Sequence, residues 1–485
     1  MAIITVFYLM PSSASADQKF PKGQIIDKIT CVKNSRFSYA LYLPSAYAAE
    51  KKWPVVICFD PRAQGRRPVE LLRRAAESYG YILAAGSLDS KNGPLEPSQQ
   101  AAKAVWADVR ERLSVDPERV YTAGFSGGAE VAVLFPYFVE TKVAGIISCG
   151  AGLPSKHEPQ WVKPAAYCGI IGHLDFRYRD MARLEQEFDK VEVTHRIIFF
   201  DGWHQWPPEE LMSEAVEWLE IIAMKSGLRA KEIPFIEAEY GKRLKKSQTL
   251  EAGGRLVRSL HELESIVSDF SALLDVAAIE QKIREIKGRP EYQGLEKEKR
   301  AALEREAILQ PRTLQVFANF DQLVSGQTAV RLKDITRALD VDRLIADSTQ
   351  TKNVFRSEMA KRVLSQIAIL ADQRGFRARE VGNFPLAVVC FELAVKSSAG
   401  HPMNAGEHYN LAAAYALWGK TKDALANLRL AVEKGFEDLE FLEGDRDLGS
   451  LRGAEEYKAL VSRLKSKRDQ ARSSASGPEA DCAAS

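Results

Sequence analysis

Between residues 24 and 227, short β-branched apolar runs alternate with segments of helical periodicity, and this alternation constrains the fold more than any other feature of the chain. Residues 54–59 (PVVICF) are apolar throughout and end at Asp60-Pro61. A run with no polar alternation reads as a strand buried on both faces, the mark of a parallel sheet. Further strands are predicted at 81–86, 120–125, 143–149, 165–171 and 194–200. Helices are predicted at 69–78, 98–113, 129–138, 181–188 and 209–222, with Pro136 a point where the third bends or stops. Residues 24–32 and 35–43 show period-two patterning and read as a hairpin. Strands alternating with helices imply βαβ units, so residues 17–227 are expected to form an α/β domain around a mostly parallel sheet.

From residue 228 both charge signs become dense and helical periodicity dominates to 464, so an all-α region is expected. Gly253-Gly254 and the Pro311 region are expected to interrupt it. Gly382, Ala387, Phe391 and Ala394 recur as Gly419, Ala424, Leu428 and Ala431, each at an offset of 37 residues. Leu411 and Tyr415 precede the second copy. These positions resemble the tetratricopeptide pattern, in which small residues let paired helices approach closely. Residues 228–365 read as a charged linking region, 366–464 as tetratricopeptide-like repeats, and 465–485 as a polar disordered tail.

With 67 Lys+Arg against 65 Asp+Glu, the net charge is +2. A nucleic-acid protein should carry a basic excess, so none is expected as partner. No apolar stretch reaches the ~18 residues that a membrane helix needs, so the mature chain is expected to be soluble with no membrane span. Residues 2–10 are apolar and Ala14-Ser15-Ala16 follows as an A-x-A cleavage pattern. Residues 1–16 are therefore read as a signal peptide lacking a basic start, which implies export to the periplasm or medium; otherwise the protein is cytoplasmic. Cys31, Cys58, Cys149, Cys168, Cys390 and Cys482 show no metal-binding or CxxC spacing.

Gly124-Phe125-Ser126-Gly127-Gly128 fits G-x-S-x-G between a predicted strand and a small-residue helix, the strand–turn–helix of a nucleophile elbow. Ser126 is thus the candidate nucleophile. Its base and acid must follow in the order Ser, acid, His. His204, in Asp201-Gly202-Trp203-His204-Gln205-Trp206, lies after the last strand and before the closing helix. His157 sits in a polar loop, His195 begins a strand, and His173 stands where the acid loop belongs. The acid is Asp175, at the end of the strand 165–171 in Gly172-His173-Leu174-Asp175-Phe176. Asp180 and Asp201 compete, but Asp180 falls on the next helix and Asp201 is placed to brace the loop. An oxyanion hole needs two N–H donors. Gly127, after the nucleophile, supplies one. Pro61 has no N–H, which leaves Arg62 or Ala63 for the other.

Taken together, GFSGGAEVA, GHLDFRYRDM and DGWHQWPPEE resemble bacterial α/β-hydrolases of the dienelactone hydrolase, polyhydroxybutyrate-depolymerase and feruloyl-esterase-like group. The resemblance spans residues 24–227. It implies an α/β-hydrolase sandwich with an eight-stranded sheet and a serine esterase cleaving small or polymeric carboxylic esters through an acyl-enzyme, without metal or cofactor. The chain departs from the group in lacking the HGGG oxyanion loop and lipase-type lid insertions, and in carrying Ser126 where dienelactone hydrolases carry cysteine. The alternative reading is a protein-interaction scaffold, in which the helical repeats bind a partner or self-associate and the hydrolase domain is weak or inactive. A prolyl-oligopeptidase-type peptidase is a third, opposed by the missing propeller. The helical half is expected to be separable, with a chain ending near Gly227 folding and hydrolysing activated esters alone.

Overall fold

The computed structural model describes residues 20–86, 95–154, 157–325 and 331–475. The signal-peptide reading of residues 1–16, Cys482 and the last ten residues of the expected tail lie outside them. Eight strands form a single sheet: β1 (Ile25–Thr30), β2 (Ser38–Tyr42), β3 (Trp53–Phe59), β4 (Ile82–Gly86), β5 (Val115–Phe125), β6 (Gly145–Cys149), β7 (Ala166–Gly172) and β8 (His195–Phe200). Their order across the sheet is β1-β2-β4-β3-β5-β6-β7-β8. The β1–β2 and β2–β4 pairs are antiparallel, and β3 pairs in parallel with both β4 and β5. This is the mostly parallel, eight-stranded α/β-hydrolase arrangement that the sequence led us to expect.

Five helices accompany the strands: α1 (Arg66–Tyr79), α2 (Leu95–Arg112), α3 (Gly127–Val139), α4 (Tyr178–Lys190) and α5 (Glu209–Lys225). Every residue of β3, β4, β6 and β7 is buried. That explains why these segments read as unbroken apolar runs, since helices cover parallel sheets on both faces. Pro136 does not end α3, which runs on to Val139 and closes on Glu140 in the left-handed conformation. Cys31, Cys58, Cys149, Cys168 and Cys390 are buried free thiols.

Residues packed with one another divide the chain into two compact units. One takes the described part of Met1–Ile170 with Leu184–Ile198 and Trp206–Glu239. The other takes Ile171–Arg183, Phe199–Gln205 and the described part of Tyr240–Ser485. The C-terminal tips of β7 and β8, with the loops that follow them, therefore group with the helical residues.

Those helices are α6 (Ile233–Ala252), α7 (Leu256–Phe270), α8 (Ala277–Gly288), α9 (Pro290–Ser325), α10 (Leu332–Ala338), α11 (Val341–Ser348), α12 (Val354–Glu380), α13 (Phe384–Ser397), α14 (Asn404–Leu417), α15 (Thr421–Glu433), α16 (Leu439–Gly444) and α17 (Glu455–Ala475). Gly253-Gly254 separates α6 from α7, with Gly254 at φ +71°. The Pro311 region does not break the helix as expected. Instead α9 runs through it, and the Thr313 hydroxyl donates to the Leu309 carbonyl at 2.9 Å. Proline removes one rung of the ladder, and burial of Leu309, Thr313 and Phe317 overrides that loss. Gly382 and Gly419 play the same part: each, at φ +76°, lies between the two helices of a pair, α12 with α13 and α14 with α15. Ala387, Phe391 and Ala394 on α13, and Ala424, Leu428 and Ala431 on α15, are all fully buried. Residues 465–475, expected in a polar tail, continue α17. Lys465 pairs with Glu443 there at 2.8 Å, and Lys467 pairs with Glu437.

Candidate active site

Ser126 stands between the end of β5 and the first residue of α3, at φ +51° and ψ −122°. A non-glycine residue at positive φ is strained by the contact of its Cβ with the backbone, and such strain gathers at functional turns. The flanking glycines are a geometric necessity. A Cβ on Gly124 would lie 2.2 Å from the Gly128 carbonyl oxygen, and one on Gly128 would lie 2.3 Å from the carbonyl oxygen of Phe59. The motif glycines thus let β5, β3 and the start of α3 approach one another around the turn. Gly127 is the first residue of α3, and the first N–H groups of a helix have no intrahelical acceptor.

The loop after β3 is organised by Asp60, which is 4 % exposed. Its Oδ1 accepts the Arg62 N–H at 2.8 Å and the Gln64 N–H at 3.1 Å. Its Oδ2 accepts the Trp206 indole N–H at 2.8 Å. The Ala63 N–H donates to the Asp60 carbonyl at 3.2 Å, and Ala63 itself sits at φ +60°. Both expected oxyanion donors beside Gly127 are thus engaged within their own loop. Trp206 also lies against Phe125, ring centroids 5.5 Å apart. The sequence marks Asp60 only as the end of an apolar run and Trp206 only as a loop residue after His204, so their bond to each other could not be read from it.

Asp175 and His204 come together. The His204 Nδ1 lies 2.8 Å from Asp175 Oδ2, and the carboxylate is 1 % exposed. Such a bond places the proton on Nδ1 and leaves Nε2 as the basic nitrogen. Asp175 Oδ1 accepts the Arg177 N–H at 2.8 Å, so both carboxylate oxygens are fixed. The Phe176 ring packs on the imidazole at 4.6 Å. The two loops are laced by backbone: the His173 N–H donates to Phe200 and the Leu174 N–H to Gly202. Gly172 makes this possible, because a Cβ there would lie 2.3 Å from the Gly202 carbonyl oxygen.

Asp201 is exposed and paired with Arg255 at 2.6 Å and Arg258 at 2.5 Å. Partial desolvation works against its charge, but Arg258 and Arg255 more than offset it and hold the carboxyl below its ordinary value. Asp180 lies in the first turn of α4, within 3.8 Å of Arg177. His173 is buried, and burial together with Arg258 pushes its pKa well below the usual range. The His195 Nδ1 bonds the Val193 carbonyl, and His157 packs on Trp161.

The helical residues add a neighbour that sequence spacing could not reveal. His401 packs on Trp203, ring centroids 4.0 Å apart. Burial, then the charge of His204, lowers its pKa to about 4, so it stays neutral. Its Nδ1 accepts the Met403 N–H, which leaves the proton on Nε2. Among the described residues no group of His, Cys, Asp and Glu is arranged to hold a metal ion. None of the described helices is long and apolar enough to cross a membrane.

No family model matches the chain, and no curated protein matches it either. Among solved structures, the chain is similar to an S-formylglutathione hydrolase from Staphylococcus aureus at 12 % identity, over 38 % of this chain and 90 % of that one, with a TM-score of 0.32. It is similar to a ferulic acid esterase at 14 % identity, over 40 % of this chain and 97 % of that one, with a TM-score of 0.33. It is similar to an esterase from Pyrobaculum calidifontis at 14 % identity, over 42 % of this chain and 86 % of that one, with a TM-score of 0.32.

Proposed function

We propose that the chain is a serine hydrolase that cleaves carboxylic esters, with Ser126 as nucleophile, His204 as base and Asp175 as the acid that orients it. The observation that carries this reading is a serine at φ +51° on a strand-to-helix turn, followed in chain order by a buried carboxylate and a histidine joined at 2.8 Å. The nucleophile-elbow order of serine, acid and histidine supports it. Ser126 Oγ attacks the ester carbonyl carbon while His204 Nε2 takes its proton. The tetrahedral oxyanion is met by the Gly127 N–H at the start of α3, where the helix dipole favours negative charge. Arg62 or Ala63 gives the second donor, exchanging its bond to Asp60 for the oxyanion. His204 returns the proton to the departing alkoxide. Water, deprotonated by the same nitrogen, then attacks the acyl carbon; the bond to Ser126 Oγ breaks, His204 returns the proton to Oγ, and the acid leaves. Asp175 stabilises the imidazolium that forms twice in each cycle.

A fluorophosphonate probe tests this directly. The wild type is expected to label and to hydrolyse short p-nitrophenyl esters, and Ser126→Ala to do neither while remaining folded. Labelling of folded Ser126→Ala at the wild-type rate would remove Ser126 from the chemistry. A wild-type chain that never labels would favour the scaffold reading.

A further inference from the structure

Asp175 sits in a short loop whose backbone must be held still if the carboxylate is to hold the imidazole. The carbonyls on either side of it are bound by side chains of the helical residues. The His173 carbonyl, two residues before Asp175, accepts Arg362 Nη1–H at 2.9 Å. The Phe176 carbonyl, one residue after it, accepts Gln310 Nε2–H at 2.8 Å. Arg362 lies on α12 and Gln310 on α9.

These two side chains are joined through a third, Glu306, one helical turn before Gln310. Arg362 Nε donates to both Glu306 oxygens, at 2.9 and 3.1 Å, and Nη2 donates to Oε2 at 2.6 Å. Gln310 Nε2 also donates to Glu306 Oε1 at 3.1 Å, and its own Oε1 accepts Arg179 Nε–H at 3.1 Å. The Tyr178 ring lies 4.5 Å from the guanidinium. Arg362 is 2 % exposed, Glu306 0 % and Gln310 6 %.

A buried ion pair is a weak source of stability, because desolvation offsets most of its attraction, and apolar residues of like volume often do as well. What a bidentate, planar pair supplies instead is direction. Here a guanidinium N–H on Nη1 is aimed at one loop carbonyl, and the neighbouring amide at another. We infer that Arg362 and Gln310, fixed by Glu306, are positioning residues that set the acid loop and thereby the Asp175–His204 pair. The helical region is then part of the catalytic apparatus. The catalytic consequence rests on the serine hydrolase reading above; the holding of the loop does not.

The test uses the full-length chain and two readouts. Gln310→Met keeps the volume and loses all three hydrogen bonds of the side-chain amide, to Phe176, Glu306 and Arg179. Arg362→Lys keeps the charge opposite Glu306 but has no planar fork to satisfy the carboxylate and the carbonyl together, and Arg362→Met loses both. Amide hydrogen exchange of residues 172–178 reads the loop without reference to activity. We expect faster exchange there in Gln310→Met and Arg362→Met, with Arg362→Lys between Arg362→Met and the wild type. On p-nitrophenyl acetate, kcat should fall on the order of 10–100-fold, the loss that small misplacement produces, with KM within about twofold. A purely structural role would instead lower the fraction of active protein and leave kcat per labelled site unchanged. Gln310→Met and Arg362→Lys that are folded, with wild-type exchange in residues 172–178, would overturn the proposal. Faster exchange with wild-type kcat per site would overturn its catalytic part. A wild-type chain that neither labels nor hydrolyses would overturn the hydrolase reading alone, and the exchange data would still decide the brace.

Discussion

Strain and close approach govern the residues that matter most. Non-glycine residues in sparsely populated backbone regions cost of order 1–3 kcal/mol, and Ser126 is one of them. Ser126→Ala keeps that strain and should melt near the wild type. Ser126→Gly relieves it, against about 0.5–1 kcal/mol of added unfolded-state entropy. It is expected to be inactive and more stable by about 1 kcal/mol, read by denaturant titration. His204→Ala should cost at least as much activity as Asp175→Ala, on the order of 10⁴-fold or more in kcat. In the proposed mechanism the base moves the proton, whereas the acid only orients the base and stabilises its charged form. Gly172→Ala puts a methyl against two carbonyl oxygens, at 2.3 Å from Gly202 and 2.7 Å from Trp203. It should part the acid and base loops, lowering kcat and the unfolding midpoint together. The proposed nucleophile, acid and base were legible in the sequence because each has a local mark: a glycine-flanked serine, or a polar residue just past an apolar strand. Arg362 was not, because it lies 189 residues from its carbonyl partner and looks like any helical arginine.

Among elements, the pair α12 and α14 carries a titratable flaw. Glu407 on α14 is 2 % exposed; burial, then the neighbouring Asp372 of α12, pushes its pKa up to about 9. Asn410 donates to Asp372 at 2.9 Å. An unfolded glutamate titrates near 4.3, so between roughly pH 5 and 9 the folded chain holds a proton that the unfolded chain has released. Stability therefore falls as pH rises through that window, and its full value is present only below the unfolded pKa. Glu407→Gln should flatten this slope. Its melting temperature should exceed the wild type at pH 8, by about 2–4 °C for each kcal/mol recovered, and the gain should vanish near pH 4. The strands were readable because their burial on two faces leaves no polar alternation. Pro311 misled because the missing rung is local, while what keeps α9 continuous is its packing against α10–α13. Residues 465–475 misled because their partners, Glu437 and Glu443, come from an earlier segment.

For the molecule as a whole, the expectation that a chain ending near Gly227 would work alone meets a specific obstacle. Such a chain lacks Arg362 and Gln310, so the carbonyls of His173 and Phe176 lose both of these side-chain donors. Truncation after Gly227 is now expected to label with fluorophosphonate at least tenfold more slowly than the full chain, in keeping with the cost of a misplaced catalytic group. Labelling at the full rate would restore the separable domain. Composition could not settle this, because a change from mixed to all-helical patterning marks where architecture changes and not where chemistry stops. The same long reach has a consequence during synthesis. Chains emerge at about 5–20 residues per second, so the 189 residues between the acid loop and Arg362 take about 10–40 s to appear. For that interval the acid loop of a nascent chain has its own backbone bonds, such as Leu174 N–H to Gly202, but not yet Arg362. On the proposed reading, the chain's full rate is reached only when the ribosome has delivered the second half.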